Sequence, residues 1–344
     1  MTELPPIHNW DPVIFQLTDA IAVRWYGVAY MLGFVIGFFL LCRLARKNLY
    51  PVPEEKLSDF ITWVALIGVL LGGRLGYVLF YMLPNEGIGY ILNDPTVIVR
   101  VWEGGMASHG GMLGVVAYAI YYARKHKLPW PAVLDGLAIV APVGLFFGRL
   151  ANFINGELYG NIVPVGSKCG MIFPTELLQS EFLFNRVAHS ILSDSALQES
   201  ITNAGYQIPA ILSPEWIITC ARHVPELENL IAKIMIGHSR YPSQLYEAAT
   251  EGLLLFAILW CVRIFWKRAY NGIFCGIFCI VYSIARIACE EFREPDSPFT
   301  FGLTRGQFLS TFLILLGVGF FIYAFRTKKT VTDCQFSDPK APQD

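Results

Sequence analysis

Seven apolar segments, each close to the length that crosses a lipid bilayer, constrain this chain more than any other feature. A helix needs about 20 mostly apolar residues to span the hydrocarbon core. Of the 344 residues 54% are hydrophobic and 15% are charged, whereas soluble domains carry about 25% charged residues. We therefore predict an all-α integral membrane protein with about seven transmembrane helices, at 22–42, 60–82, 108–123, 133–154, 244–265, 272–290 and 307–325.

The third segment is short and starts differently from the others. His109, Gly110 and Gly111 stand at its beginning. Non-helical backbone at membrane depth is tolerated only where it is buried in protein or lines a wet cavity. We expect this segment to begin as a loop or a re-entrant segment.

Basic residues predict the orientation, because cytoplasmic loops are enriched in lysine and arginine. A basic cluster follows each odd-numbered segment, which places the N-terminus outside and the C-terminus in the cytoplasm. The clusters are Arg43, Arg46 and Lys47; Arg124, Lys125 and Lys127; Arg263, Lys267 and Arg268; and Arg326, Lys328 and Lys329.

The order of the segments divides the chain into four parts. Residues 1–156 hold the first four spans, and 242–326 hold the last three. Between them, 157–241 is an extracytoplasmic insertion that we expect to form a small mixed or helical domain, with amphipathic pieces near 177–200 and 215–236. The polar tail, 327–344, is expected to be disordered.

Composition also excludes several classes of function. The net charge of −1 and the lack of a basic patch argue against nucleic-acid binding. The eight cysteines form no CxxC pair, so a zinc site is not expected. Only Cys169 and Cys220 lie in the insertion; a disulfide between them stays open.

Polar residues at the end of the fourth segment indicate a site inside the membrane. Arg149, Asn152 and Asn155 fall within an arc of roughly 120° on a helix, and Glu157 follows them. The sixth segment carries a second stripe, Tyr282, Arg286, Glu290 and Arg293. With the predicted orientation, both ends lie on the outer side, as do His109 and Tyr26. Ionisable residues inside a membrane are costly and usually mark function.

Each residue also has a structural interpretation. Arg286 and Glu290 could form an i,i+4 ion pair, the two asparagines could join helices, His109 could cap a helix, and Tyr26 could belong to the interfacial aromatic belt. Arg74 could either pair with a buried carboxylate or contact phosphate, and we favour the structural role. Asp135 and Glu103 are expected to anchor packing or loops.

Two arginines and a histidine in one membrane cavity suggest chemistry at an anionic lipid headgroup. The guanidinium group binds phosphate through two parallel hydrogen bonds. Histidine accepts a proton near neutral pH. Carboxylates would hold the guanidinium groups in place.

At these residues the chain resembles the prolipoprotein diacylglyceryl transferase family. The resemblance extends over nearly all of the predicted spans, including Trp25-Tyr26-Gly27. It is carried by four runs: Gly104 to Gly111 (GGMASHGG), Gly148 to Glu157 (GRLANFINGE), Pro242 to Glu247 (PSQLYE) and Arg286 to Asp296 (RIACEEFREPD).

The resemblance implies an enzyme of the bacterial inner membrane. It would transfer the diacylglyceryl group of phosphatidylglycerol to the lipobox cysteine thiol of a prolipoprotein, forming a thioether and releasing glycerol phosphate. It implies no cofactor, metal or nucleic-acid partner, and we expect a monomer. By motif, the catalytic residues are His109, Arg149, Arg286 and Glu290, and the substrate-binding residues are Tyr26, Asn152, Asn155, Glu157 and Tyr282.

The chain departs from the family pattern at two places. Tyr241 stands where the family has a histidine before Pro-Ser-Gln, so this position is not expected to supply acid–base chemistry. The insertion, particularly 177–236, matches poorly; docking of the prolipoprotein and a lid or scaffold role are both open.

Two other classes of protein compete with this interpretation. A transporter would also carry buried charges in its spans, but no internal repeat is present and the polar residues cluster on one side. An intramembrane protease is indicated weakly by Glu290-Glu291-Phe292-Arg293, because adjacent glutamates point to different faces of a helix.

Overall fold

The computed structural model describes residues 4–18, 21–101, 104–164, 167–294 and 302–333. An antiparallel hairpin comes first, formed by β1 (Val13–Thr18) and β2 (Ile21–Arg24). The α-helices that follow are α1 (Trp25–Arg46), α2 (Glu54–Trp63), α3 (Gly72–Tyr77), α4 (Leu83–Asn93), α5 (Ser108–Lys125), α6 (Trp130–Asn155), α7 (Glu181–Ser193), α8 (Ser195–Asn203), α9 (Pro214–Ala221), α10 (Pro225–Ile234), α11 (Ser243–Glu247), α12 (Leu255–Phe265), α13 (Ile273–Glu290) and α14 (Arg305–Thr327).

Shorter helical turns join or interrupt these helices. Three stretches have π-helical hydrogen bonding and continue the neighbouring α-helices: Val64–Leu71, Val78–Met82 and Ala248–Leu254. Four are 3₁₀ turns: Pro95–Ile98, Pro174–Leu178, Ile236–His238 and Val331–Asp333.

Among the described residues, six helices are long and apolar enough to cross a membrane. This confirms the predicted all-α membrane fold; the hairpin β1–β2 is a small addition that was not predicted. The six are Trp25–Arg46, Glu54–Asn93, Trp130–Asn155, Ser243–Phe265, Ile273–Glu290 and Arg305–Thr327.

The third predicted segment, 108–123, is the one that is not among these six, and it is helical from its first residues. Helix α5 starts at Ser108, so His109, Gly110 and Gly111 are helical, and the predicted loop or re-entrant start is wrong. The helix is less apolar than the six because it contains His109, three tyrosines and a basic last turn. The glycines at its start instead allow this helix to pack closely against a neighbouring helix.

By its contacts, the described part of the chain divides into two compact units. The first is built from Met1–Leu32, Gly144–Leu254 and Tyr282–Phe312, and the second from Gly33–Val143, Leu255–Val281 and Leu313–Asp344.

Glycines allow two helices of the second unit to approach backbone to backbone. A Cβ atom added to Gly110 of α5 would lie 2.5 Å from the carbonyl oxygen of Gly72 and 2.6 Å from the Cα of Gly76. Small residues at such spacing are typical of membrane helix pairs, which gain from van der Waals contact. This contact explains the glycine-rich composition of both segments.

We predict that Gly110→Ala destabilises the protein, by about 1–3 kcal/mol as for other overpacked sites. The matched control is Gly89→Ala in α4, where an added Cβ meets nothing within 4 Å. Thermal unfolding in a mild detergent should show a lower midpoint for Gly110→Ala alone. Equal midpoints for the two variants would contradict the close helix contact.

Two buried charged side chains of the second unit hold backbone groups. The carboxylate of Asp135 accepts hydrogen bonds from the backbone N–H groups of Gly272 (2.6 Å) and Cys275 (2.9 Å), so it caps the start of α13. This confirms that Asp135 is an anchor. Arg74 holds backbone groups too: among the described residues it donates to backbone carbonyls, including those of Val97 (2.5 Å) and Ile98 (3.2 Å).

The part of the first unit that corresponds to the insertion contains four short amphipathic helices, α7 to α10. Leu183, Val187 and Ile191 recur every four residues along α7 and are fully buried. They pack with Ile217 of α9 and Ile231 of α10 in one apolar core. The pattern is that of a soluble helical domain, whereas the apolar faces of the membrane helices remain exposed.

The end of the chain is ordered further than predicted. Two residues of the tail, 327–344, which was predicted to be disordered, contact the turn before α13. The carbonyl of Lys329 accepts a hydrogen bond from the backbone N–H of Asn271 at 2.8 Å, and Thr330 pairs with Tyr270. These contacts hold residues 328–333. Residues 334–344 lie outside the described residues, as does Glu103.

Candidate functional site

A cluster of six charged side chains lies in the first unit, contributed by three segments. We call it the charge cluster. It consists of Arg149 from α6, Glu247 and Glu251 from α11 and the π-helical stretch after it, and Arg286, Glu290 and Arg293 from α13 and the turn that follows.

Local sequence explains why each segment presents its charges on one face. Glu247 and Glu251 are four residues apart, as are Arg286 and Glu290, and such pairs share a helix face. Gly252 lets the π-helical stretch approach α6, because an added Cβ would lie 2.7 Å from the Cβ of Phe146. π-helical turns occur frequently at functional sites.

Glu247 is the centre of the cluster. Its carboxylate oxygens lie 3.0 Å from Arg149, 2.6 Å from Arg286 and 3.1 Å from Arg293. The side chain has no exposed surface. One carboxylate therefore holds three guanidinium groups in position.

Glu251 and Glu290 each complete the coordination of one arginine. Glu251 Oε2 accepts from Nε (3.2 Å) and Nη2 (2.9 Å) of Arg149, and its Oε1 lies 3.7 Å from Arg286. Glu290 Oε2 lies 2.9 Å from Nη2 of Arg286. The predicted i,i+4 ion pair is thus present, as one member of a larger cluster.

Among the described residues of the cluster, the positive and negative side chains are equal in number. Three carboxylates face three guanidinium groups, and the side-chain exposure is 0% for Glu247 and Glu251, 17% for Arg149 and 13% for Arg286. Buried charges are costly unless they are paired. The two arginines keep the largest exposed surface, so they are the members that a ligand can reach.

A second polar group adjoins the cluster at the end of α6. The side-chain amide of Asn152 donates to the hydroxyl of Tyr26 and to the carboxylate of Glu157, both at 2.8 Å. Gln244 donates to the backbone carbonyl of Glu157 at 2.7 Å. Asn152 therefore joins α1, α6 and the chain after α6, in line with its interpretation as a helix-joining residue.

The chain reverses after α6 because Gly156 has a positive φ of 65°. The backbone N–H of Gly156 donates to the carbonyl of Phe153, and that of Glu157 to the carbonyl of Asn152. This pair of bonds is the Schellman arrangement, in which glycine avoids the strain of the left-handed conformation. It places the Glu157 side chain over the last turn of α6.

The structure does not bring Asn155 to the arginines. On a helix it lies about 120° from Arg149, and it lines a small pocket with His8 and Thr175. His8 stacks on Phe173 at 5.2 Å, and burial lowers the pKa of His8 to about 4. Asn155 thus belongs to the contact between the N-terminal segment and the insertion.

Tyr282 and His109 belong to different units. Tyr282, one turn before Arg286 on α13, is half-buried and interacts electrostatically with Arg149 and Glu251. His109 belongs to the second unit, where it is exposed in the first turn of α5.

Beyond the cluster, Arg240 organises the chain around the start of the insertion. It bonds to Glu176 (2.5 Å) and Glu294 (2.8 Å), and lies over the ring of Tyr159. Burial lowers the pKa of Arg240, but the bonds to both glutamates outweigh it, so the pKa is raised. Burial raises the pKa of Tyr159 to about 12.

Several other residues named in the sequence analysis have defined surroundings in the structure. Tyr241 packs its ring against Phe292 at 5.4 Å, a packing contact. Cys169 and Cys220 are both free thiols, so the disulfide left open is not formed. Glu290 is buried whereas Glu291 is exposed, as expected for two faces of one helix. Pro295 and Asp296, which end the fourth run of the resemblance, lie outside the described residues.

Glu251 was not predicted as a site residue, and Glu247 was given no role. The signal was present, since both glutamates stand four residues apart in a predicted membrane span. Ionisable residues in such a span are functional candidates by default.

We predict that Glu247→Gln destabilises the first unit strongly, by about 3–5 kcal/mol, because three arginines lose their shared partner. The matched control is Glu291→Gln, which removes an exposed carboxylate near the same helix end. Thermal unfolding in detergent should separate the two variants. Equal stability would mean that Glu247 is not the organising charge.

Comparison with known proteins places the sequence in one family. The family model described as prolipoprotein diacylglyceryl transferase matches residues 12–323. Three similar proteins are each named phosphatidylglycerol–prolipoprotein diacylglyceryl transferase. The one from Azospirillum brasilense is 38% identical over 90% of this chain and 92% of its own length. The one from Bdellovibrio bacteriovorus is 34% identical over 91% and 92%. The one from Neisseria gonorrhoeae is 36% identical over 92% and 96%.

Proposed function

We propose that this chain, which belongs to the prolipoprotein diacylglyceryl transferase family, transfers a diacylglyceryl group from phosphatidylglycerol to the cysteine thiol of a prolipoprotein. The thiol belongs to the lipobox cysteine of the signal peptide. The products are a thioether-linked diacylglyceryl protein and glycerol phosphate. This reaction is the first step of lipoprotein maturation.

The observation that carries the proposal is the pair Arg149 and Arg286. Both guanidinium groups share Glu247, and both keep part of their surface exposed. A guanidinium group can bind a phosphate through two hydrogen bonds. Two such groups fixed side by side by one carboxylate suit the phosphodiester of a lipid headgroup.

The chemistry needs a nucleophile and a stabilised leaving group. A thiol has an ordinary pKa of about 8.5, so a base or a nearby cation raises the thiolate fraction. The sulfur then attacks the glycerol carbon, and the C–O bond to phosphate breaks. Arg149 and Arg286 stabilise the charge that grows on the phosphate, and Glu290 holds Arg286 in place.

The remaining predicted site residues take supporting roles. His109, by its match to the family motif, accepts the thiol proton. Asn152 and Glu157, joined to Tyr26 by hydrogen bonds, shape the substrate-binding region, with Tyr282 lining it. The assignment of Asn155 to substrate binding rests on the motif alone, and its surroundings favour a structural role.

The location follows from the same reasoning. We propose that the protein lies in the bacterial inner membrane, with its N-terminus and the insertion 157–241 outside and its C-terminus in the cytoplasm. The basic clusters after the odd-numbered spans support this orientation. The enzyme acts as a monomer and needs no cofactor, metal or nucleic acid.

We predict that the reconstituted protein moves label from phosphatidylglycerol to a lipobox peptide, and that Arg286→Ala lowers kcat about 10²–10³-fold. The control is Arg268→Ala, an exposed arginine. Folded wild-type protein that binds both substrates and transfers no label would make the proposed function wrong. Normal turnover by Arg286→Ala would assign that residue to structure.

We predict that His109→Gln slows transfer by about 10²-fold or more and removes the rise of rate with pH that titration of a base produces. His189→Gln is the control, since His189 is exposed on α7. The measurement is the initial rate from pH 5.5 to 9. A rate that stays at the wild-type level throughout would leave His109 without a role in proton transfer.

A further inference from the structure

The charge balance of the cluster sets a condition on the binding of an anion. Three carboxylates and three guanidinium groups leave no net charge among the six side chains. The phosphodiester of phosphatidylglycerol carries one negative charge, so binding it would leave one buried negative charge uncompensated. Uncompensated buried charge is costly, and ionisable groups commonly change protonation instead.

We propose that Glu251 takes up a proton when the lipid phosphate binds and donates that proton to the phosphate as it leaves. The proposal rests on the proposed function and adds a general acid to it. It follows from the position, the burial and the partners of Glu251.

Glu251 lies where the phosphate would bind. Its Oε2 atom accepts hydrogen bonds from Nε and Nη2 of Arg149, at 3.2 and 2.9 Å. These two atoms form the edge through which an arginine binds phosphate bidentately. A phosphate that takes this edge displaces Glu251 from its main partner and comes to lie beside it.

The three carboxylates differ in the arginine contacts that remain once lipid is bound. When Arg149 binds the phosphate, Glu247 still contacts Arg286 and Arg293, and Glu290 still contacts Arg286 at 2.9 Å. Glu251 keeps only Arg286, at 3.7 Å, and its Oε1 makes no hydrogen bond within the described part of the chain. Its side chain is also fully buried. It is therefore the carboxylate that is least stabilised as an anion once lipid is bound.

The other titratable groups around Glu251 support this choice. Arg149 faces it from α6, and Glu247 adjoins it on its own segment. Helix α13 contributes Tyr282, Arg286 and Glu290, together with the thiol of Cys289, which lies 3.2 Å from the hydroxyl of Thr250. The nearby carboxylate Glu247 repels a second negative charge, whereas the arginines are engaged by phosphate. Both effects favour a protonated Glu251.

The protons and electrons of the step balance. The thiol proton moves to the base, His109 in the proposed function. The S–C bond forms while the C–O bond breaks, and the electron pair of that bond stays on the phosphate oxygen. The Glu251 proton moves to this oxygen, so glycerol phosphate leaves as a monoanion and the Glu251 carboxylate returns to Arg149. One proton is taken up by Glu251 when the lipid binds, and one proton is later released from the base, so there is no net uptake over one turnover.

The experiment measures proton uptake separately from transfer. Full-length protein in a neutral detergent is titrated with short-chain phosphatidylglycerol by calorimetry, in two buffers of equal pH and different ionisation enthalpy. We expect uptake of about one proton per bound lipid, and an affinity that falls about tenfold per pH unit over the range in which Glu251 is ionised in the free protein and protonated in the complex. Lipid binding without proton uptake would overturn the proposal, even if transfer is normal.

Variants assign the proton to one residue. In Glu251→Gln the uptake should vanish, the affinity should become independent of pH, and kcat should fall about 100-fold with little change in KM; Glu251→Asp should recover part of the rate. Glu290→Asp, which keeps the charge of the cluster, should keep the uptake, and Glu226→Gln, an exposed control, should match wild type. Uptake that persists in Glu251→Gln would overturn the assignment.

Failure of the two proposals would look different. Protein that neither binds phosphatidylglycerol nor transfers its label contradicts the proposed function. Protein that transfers label but takes up no proton contradicts only the role of Glu251. If Glu251→Gln does not fold, lack of uptake by the wild-type protein still overturns the proposal, and an unchanged pH dependence of the affinity in Glu251→Asp would overturn the assignment to Glu251.

Discussion

The first unit depends on the neutralisation of buried charge at Glu247. A single carboxylate without exposed surface holds Arg149, Arg286 and Arg293 within about 3 Å. In an apolar interior an unpaired ion costs several kcal/mol, so these groups are stable only together. The contact joins α6, α11 and the end of α13, and it therefore sets how those segments meet.

This arrangement fixes the arginines in apolar surroundings, where their electrostatic interaction with an anion is stronger than in water. Arg286 keeps Glu247 and Glu290 when an anion arrives and needs no reorganisation, which is the condition for electrostatic stabilisation of a developing charge. The carboxylates also prevent permanent occupation by any anion, because a phosphate must compete with Glu251 for the Nε and Nη2 atoms of Arg149. Binding and release are thus linked to the protonation of the same cluster.

Much of the fold was predictable because the bilayer imposes a simple rule. Apolar segments of about 20 residues must be helical, and all seven predicted segments are helical over most of their length in the structure. The exceptions have physical causes. The glycines at the start of α5 were interpreted as a loop signal, whereas they allow Gly110 to pack against Gly72 and Gly76. A sequence pattern does not reveal which helix will approach a glycine.

For the site, the sequence alone determined which residues were costly to bury: Arg149, Asn152, Arg286 and Glu290 stand in apolar segments and need polar partners. Only the tertiary structure decided what those partners are. It assigned Glu247 and Glu251 to the arginines, Tyr26 and Glu157 to Asn152, and directed Asn155 toward His8. The reason is that periodicity fixes the face of a helix on which a side chain lies, whereas its partners depend on how separate segments pack.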